Sequence, residues 1–183
     1  FSDKMRGMDA STYLYKVSTQ LMRLPVNEIG LASKLIKLAR ESHQRVWIVG
    51  NGGSATTAMH FANDLQKMCG VQAHAIPSEI PTILAYGNDD GWDKMFSNYM
   101  KNTFYNGDLL IAISYSGSSM NVVKAAKEAI IGGDLLVLTG PPTSTNILTT
   151  LPGCIIAVPS DDMKIVEDVH MVICHTIAGL LQK

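Results

Sequence analysis

Short apolar runs recur along this chain at residues 46–49, 73–76, 109–113, 135–138 and 155–158, with helically spaced segments between them at 54–68, 92–104, 119–131 and 163–181. Runs that are apolar at every position, rather than at alternate ones, suit strands buried on both faces. Strands of that kind alternating with helices predict a parallel sheet covered on each side. Ahead of them, Leu31, Leu35, Ile36 and Leu38 fall near a 3.6-residue period within residues 8–42, and Pro25 divides that stretch into two helices. No linker, repeat or low-complexity segment interrupts the pattern. The expectation is one α/β domain over 1–183, with N-terminal helices over about 1–43 and an α/β core over about 44–183.

In open parallel sheets, ligands gather beyond the carboxyl ends of the strands. That rule selects the turn after Val49, the 114–119 loop and the 139–146 loop. The first runs Gly50-Asn51-Gly52-Gly53-Ser54 into a helix. Glycines permit close backbone approach, and Ser54 is expected to cap the helix, leaving N–H groups that attract anions. The turn has neither the Gly-Lys-Ser/Thr of a nucleotide-hydrolase loop nor the dinucleotide fingerprint. The second loop, Ser114-Tyr115-Ser116-Gly117-Ser118-Ser119, offers four serine hydroxyls and several amides. A capped turn explains one or two of those serines; phosphate binding uses all of them, and Lys124 is a base that could assist.

His60 and Asp64 are four apart and share a helical face, where they could hold a metal ion or pair by a hydrogen bond. The final helix carries Glu167, Asp168, His170 and His175. Glu167 and His175 are eight apart, roughly 12 Å along a helix axis, which makes a shared metal a long reach. His170 is expected to partner an acid on its own helix or at a subunit contact. His43 and His74 belong to no constellation. Asn88-Asp89-Asp90, after Gly87, reads as an Asx turn between helices or as a grip on sugar hydroxyls.

Composition narrows the function classes. Net charge is −1, with 15 basic and 16 acidic residues and no basic block, so a nucleic-acid surface is not indicated. Charged residues are only 17%, which suggests apolar surface covered by partner subunits. Three cysteines without metal spacing suit a reducing compartment. With no membrane-length apolar run and no visible signal peptide, a cytoplasmic protein is expected, with no membrane partner.

Taken in order, Val49-Gly50-Asn51-Gly52-Gly53-Ser54, Ala58-Met59-His60-Phe61-Ala62, Gly87-Asn88-Asp89, and Ile113-Ser114 through Ser119-Met120-Asn121-Val122 resemble sugar isomerase (SIS) domains. Among these they are most similar to the phosphoheptose isomerases, which act on sedoheptulose 7-phosphate in heptose biosynthesis. The resemblance spans nearly the whole chain. It implies a three-layer αβα sandwich around a five-stranded parallel sheet, assembled as a homotetramer through the N-terminal helices, with active sites at subunit interfaces. It further implies that Asn51, Gly52, Gly53, Ser54, Ser114, Tyr115, Ser116 and Ser119 surround the sugar phosphate, with Asn88, Asp89 and Glu167 contacting substrate. Zinc would be held at His60, Asp64, Glu167 and His175, with Asp64 and His175 as the proton-transfer pair.

Three positions depart from the family's pattern. Asp64 stands in place of Glu, Glu167 in place of Gln, and Tyr115 in place of Thr. The exchange at 64 shortens the base by one methylene, a displacement that can cost about two orders of magnitude in rate. Some SIS relatives are non-catalytic and bind a protein partner such as a replication initiator, or sense a sugar phosphate. The carboxylate and both histidines retained here favour catalysis.

Overall fold

The computed structural model describes residues 9–182. Residues 1–8, grouped with the N-terminal helices on sequence grounds, and residue 183 lie outside the described residues. Helix α1 (Ala10–Leu21) opens at Asp9, whose carboxylate accepts from Thr12 N–H and from the Ser11 and Thr12 hydroxyls. Those donors favour the ionised form and hold Asp9 down to about 2. Helix α2 (Val26–Glu41) begins after Pro25, and its buried stripe is Ile29, Ala32, Ser33, Ile36 and Ala39. None of the described helices is long and apolar enough to cross a membrane.

Five strands follow: β1 (Val46–Val49), β2 (Ala73–Ala75), β3 (Leu109–Ser114), β4 (Asp134–Thr139) and β5 (Cys154–Ala157). All pair in parallel, in the order β2-β1-β3-β4-β5. The two-residue side-chain period divides each strand between two cores. Val46, Ile48, Leu109, Ile111, Ile113, Leu136 and Leu138 join the core beneath α2, α3 (Gly53–Cys69) and α7 (Met163–Leu181). Trp47, Val49, Leu110, Ala112, Leu135 and Val137 join the core beneath α4 (Ile80–Asp90), α5 (Met95–Thr103) and α6 (Met120–Ala129). The architecture is the expected three-layer αβα sandwich, with α1 laid against α7. A hydrogen bond from the Tyr13 hydroxyl to Asp168 Oδ2 at 2.7 Å fastens that contact and pushes the phenol up to about 12.

Two local readings change. Residues 80–90 form α4, which the sequence pattern did not separate; Pro81 sits in its first turn, where a missing N–H costs no hydrogen bond. The segment read as one helix over 92–104 is a short 3₁₀ turn, Trp92–Lys94, followed by α5.

At the lower edge of the sheet, Asp108 is 1% exposed and gathers the chain. It accepts from Arg45 N–H, Trp47 Nε1–H and Tyr105 N–H, each at 3.0 Å, and pairs with the Arg45 guanidinium at 3.1 Å. Replacing it by alanine orphans several donors and a cation, so Asp108→Ala should lower unfolding free energy by about 3–5 kcal/mol. Urea titration of the purified variant measures this.

Candidate functional site

The order of the strands reverses between β1 and β3, which lie side by side with Val49 opposite Ala112. At such a switch point the connections leave in opposite directions and open a crevice at the carboxyl edge. The glycine turn after β1 and the serine loop after β3 line it. A cavity of about 200 Å³ is bounded by Asn51, Ser54, Ser114, Tyr115, Ser116 and Ser119, and closed from α7 by Met163 and Glu167.

Local geometry differs from the expectation at several points. Helix α3 starts at Gly53, and its N-cap is Gly52, with φ of +53°. Ser54 is therefore a buried residue of the first turn rather than the cap, displaced because only a glycine takes the left-handed backbone needed just before it. Asn51 borders the cavity, yet its side-chain amide forms a reciprocal pair with Asn121, both bonds 2.9 Å. That pair ties the glycine turn to α6. Asn121 has no exposure and was not singled out on chemical grounds, though a polar residue just inside a helix after a serine-rich loop was the available signal. Tyr115 donates its hydroxyl to the Asp161 carbonyl at 2.8 Å, roping the serine loop to the segment before α7. Lys124 turns away to Asp93 at 3.4 Å and does not line the cavity.

Asn88 and Asp89, expected to contact substrate, do not border this cavity. Both lie exposed in the last turn of α4, on the opposite side of the sheet from α3 and α7, with Asn88 Nδ2 donating to Asp89 Oδ1 at 2.8 Å. Asp89 borders a separate hollow with Tyr86 and Asp90.

Helices α3 and α7 both begin at the cavity and run together away from it. Where they pack, His60 and Asp64 of α3 meet His175 of α7. His60 Nε2 is 3.3 Å and His175 Nε2 3.7 Å from Asp64 Oδ2, and the two imidazole nitrogens are 3.1 Å apart. The Asp64 side chain is 11% exposed, whereas the imidazoles are about half exposed. Two ring nitrogens facing each other beside a buried carboxylate need a shared proton or cation between them. The two nitrogens and one oxygen, all within 4.8 Å, match the ligand set of zinc.

Glu167 does not join this group. Its carboxylate lies against Gly53, where a Cβ would come within 2.6 Å of Oε2. Eight helical residues separate it from His175, which sets it roughly 12 Å away along the axis.

His170 is not paired with an acid. It is buried, with Nε2 3.2 Å from the Thr139 carbonyl and Nδ1 unpartnered. Burial drives its pKa down to about 4. His74 stacks on Trp47, ring centroids 4.9 Å apart. Cys69, Cys154 and Cys174 are buried free thiols, each with its pKa raised by desolvation.

The fold and sequence have counterparts among known proteins. Residues 12–139 match the SIS domain. The chain is 33% identical over 156 residues to the phosphoheptose isomerase of Aliarcobacter butzleri, covering 82% of each chain. It is 31% identical to the probable phosphoheptose isomerase of Thermoplasma acidophilum, covering 96% of this chain and 99% of that one. The structure of a phosphoheptose isomerase from Francisella tularensis superposes with a TM-score of 0.86 at 26% identity, covering 93% and 95%.

The depressed His170 pKa has a consequence for stability. Between the ordinary value near 6.5 and about 4, the unfolded chain takes up a proton that the native state refuses. Native stability therefore falls as pH drops through that window, by on the order of 3 kcal/mol at pH 4. Urea unfolding of wild type and His170→Gln across pH 4–7 should show this part of the slope lost in the variant.

Proposed function

Because the chain belongs to the SIS domain family and is a phosphosugar isomerase of the phosphoheptose isomerase type, we propose that it converts sedoheptulose 7-phosphate to D-glycero-D-manno-heptose 7-phosphate. The observation that carries this reading is the meeting of His60, Asp64 and His175 on two helices that both start at a hydroxyl-lined cavity. An anionic tail held in the cavity would direct the open-chain carbonyl along α3 and α7 toward the cluster.

Ser54, Ser114, Ser116 and Ser119, with the amides of Gly52 and Gly53, would hold the phosphate. The positive end of α3 supports an anion there. Asp64 would take the proton beside the carbonyl, and His175 would return one, through an enediol. Acid–base groups so placed supply typically 10²–10⁴-fold. Zinc at His60, Asp64 and His175 would take one donor atom from each and supply Lewis-acid polarisation of the carbonyl oxygen, leaving the second carboxylate oxygen of Asp64 and the second ring nitrogen of His175 for the proton transfers. Glu167, as placed at Gly53, would serve the substrate end of the site.

The half-exposed imidazoles leave the cluster open on one side, which supports completion by another subunit. So does the apolar surface on the N-terminal helices, where Leu14, Met22 and Val26 are 67–88% exposed. We assign α1 and α2 to homotetramer contacts, and Asn88 and Asp89 to the substrate of a neighbouring copy. The buried free thiols support a cytoplasmic setting. The retained His-Asp-His group supports catalysis over a non-catalytic, partner-binding role.

Purified protein should carry one zinc per subunit by elemental analysis; no bound metal in freshly purified protein would favour the binding role. Asp64→Asn and His175→Gln should each lower turnover of sedoheptulose 7-phosphate at least about 10²-fold without changing the far-ultraviolet spectrum. A panel of pentose, hexose and heptose phosphates tests the substrate itself. In sedimentation, the double change Leu14→Asp, Met22→Asp should convert tetramers to smaller species.

A further inference from the structure

Three carbonyls of the serine loop are held from one side by the last residue of β4 and the segment that follows it. The Thr139 hydroxyl donates to the Ser114 carbonyl at 2.7 Å, Gly140 N–H to that of Tyr115 at 3.0 Å, and Leu148 N–H to that of Gly117 at 3.1 Å. Asn146, 1% exposed, knits the segment together: its Nδ2 donates to Thr139 Oγ1 at 3.1 Å and to the Pro141 carbonyl at 3.0 Å. Its Oδ1 has no hydrogen-bond partner and lies against Gly117, so close that a Cβ there would come within 1.7 Å. Gly117 also has φ of +60°, so space and backbone conformation both require glycine for the two loops to nest. From the far side, His170 on α7 meets the Thr139 carbonyl.

Phosphate oxygens only accept hydrogen bonds, so a peptide carbonyl turned toward the cavity would repel them. The end of β4 and the segment after it engage the carbonyls of residues 114, 115 and 117. Neither Thr139 nor Asn146 borders the cavity. We propose that Thr139 and Asn146 are positioning residues for phosphate binding, clamping the serine loop by its carbonyls so that its donors remain for the ligand. This rests on the reading of the serine loop as the phosphate site.

The probes are inorganic phosphate as a competitive inhibitor and sedoheptulose 7-phosphate as substrate. Thr139→Val keeps the side-chain shape and removes the hydroxyl; Thr139→Ser keeps the hydroxyl. In Thr139→Val, the inhibition constant for phosphate and the KM should both rise about tenfold, the scale of one lost hydrogen bond. Turnover should stay within about twofold and zinc content should not change, and Thr139→Ser should restore wild-type values. Should Thr139→Val fail to fold, Asn146→Ser takes its place with the same expected rise. A lower melting temperature with unchanged phosphate inhibition in the folded variant would overturn the clamp. Ser116→Ala separates the two ideas. Unchanged phosphate inhibition there overturns the phosphate site itself, whereas weakened inhibition there beside a silent Thr139→Val overturns only the clamp.

Discussion

Everything at this site depends on one reversal in the order of a parallel sheet. Because β2 lies on one side of β1 and β3 on the other, the chain leaves β1 in one direction and β3 in the other. Parallel strands send both connections off the same edge, so a glycine turn and a serine loop separated by some sixty residues of chain become neighbours. Neither loop makes a cavity alone. The register that sets Val49 opposite Ala112 makes one of the pair, and the Asn51–Asn121 bonds hold its rim.

The second arrangement depends on the first. Helix α3 is fixed by the turn after β1, and α7 packs beside it on the same face of the sheet. Once both are seated, spacing along each helix decides what meets: His60 and Asp64 four apart on α3, His175 on α7. A buried carboxylate between two half-exposed imidazoles is the product of packing, since Asp64 faces the α3–α7 seam while the rings reach out of it.

Much of the scaffold was legible because the sheet is buried on both faces, which leaves each strand as an unbroken apolar run such as 109–113. Helix α4 was not, because Pro81, Gly87 and the polar tail at 88–90 blur its apolar stripe to the single buried Ile83. The start of α3 shifted by one residue because backbone sign at Gly52, rather than a serine oxygen, sets the boundary. His60 and Asp64 were legible as a pair through helical spacing. The placement of Glu167 was not: an eight-residue interval fixes the backbone separation, while the side chain's direction toward Gly53 arises from packing. His170 shows the same limit from the other side. Its partner is a main-chain oxygen of Thr139, which no side-chain pattern announces.

The histidines that face each other are 115 residues apart in the chain, and α7 follows every other described element. As the polypeptide emerges from the ribosome, the sheet edge and the two polar turns after β1 and β3 can take shape while α3 still shows its apolar seam to water. Closing so long a loop is slow and costly in chain entropy, and only the docking of α7 repays it. The cavity, closed from α7 by Met163 and Glu167, and the His60–Asp64–His175 cluster are thus both completed by the same helix.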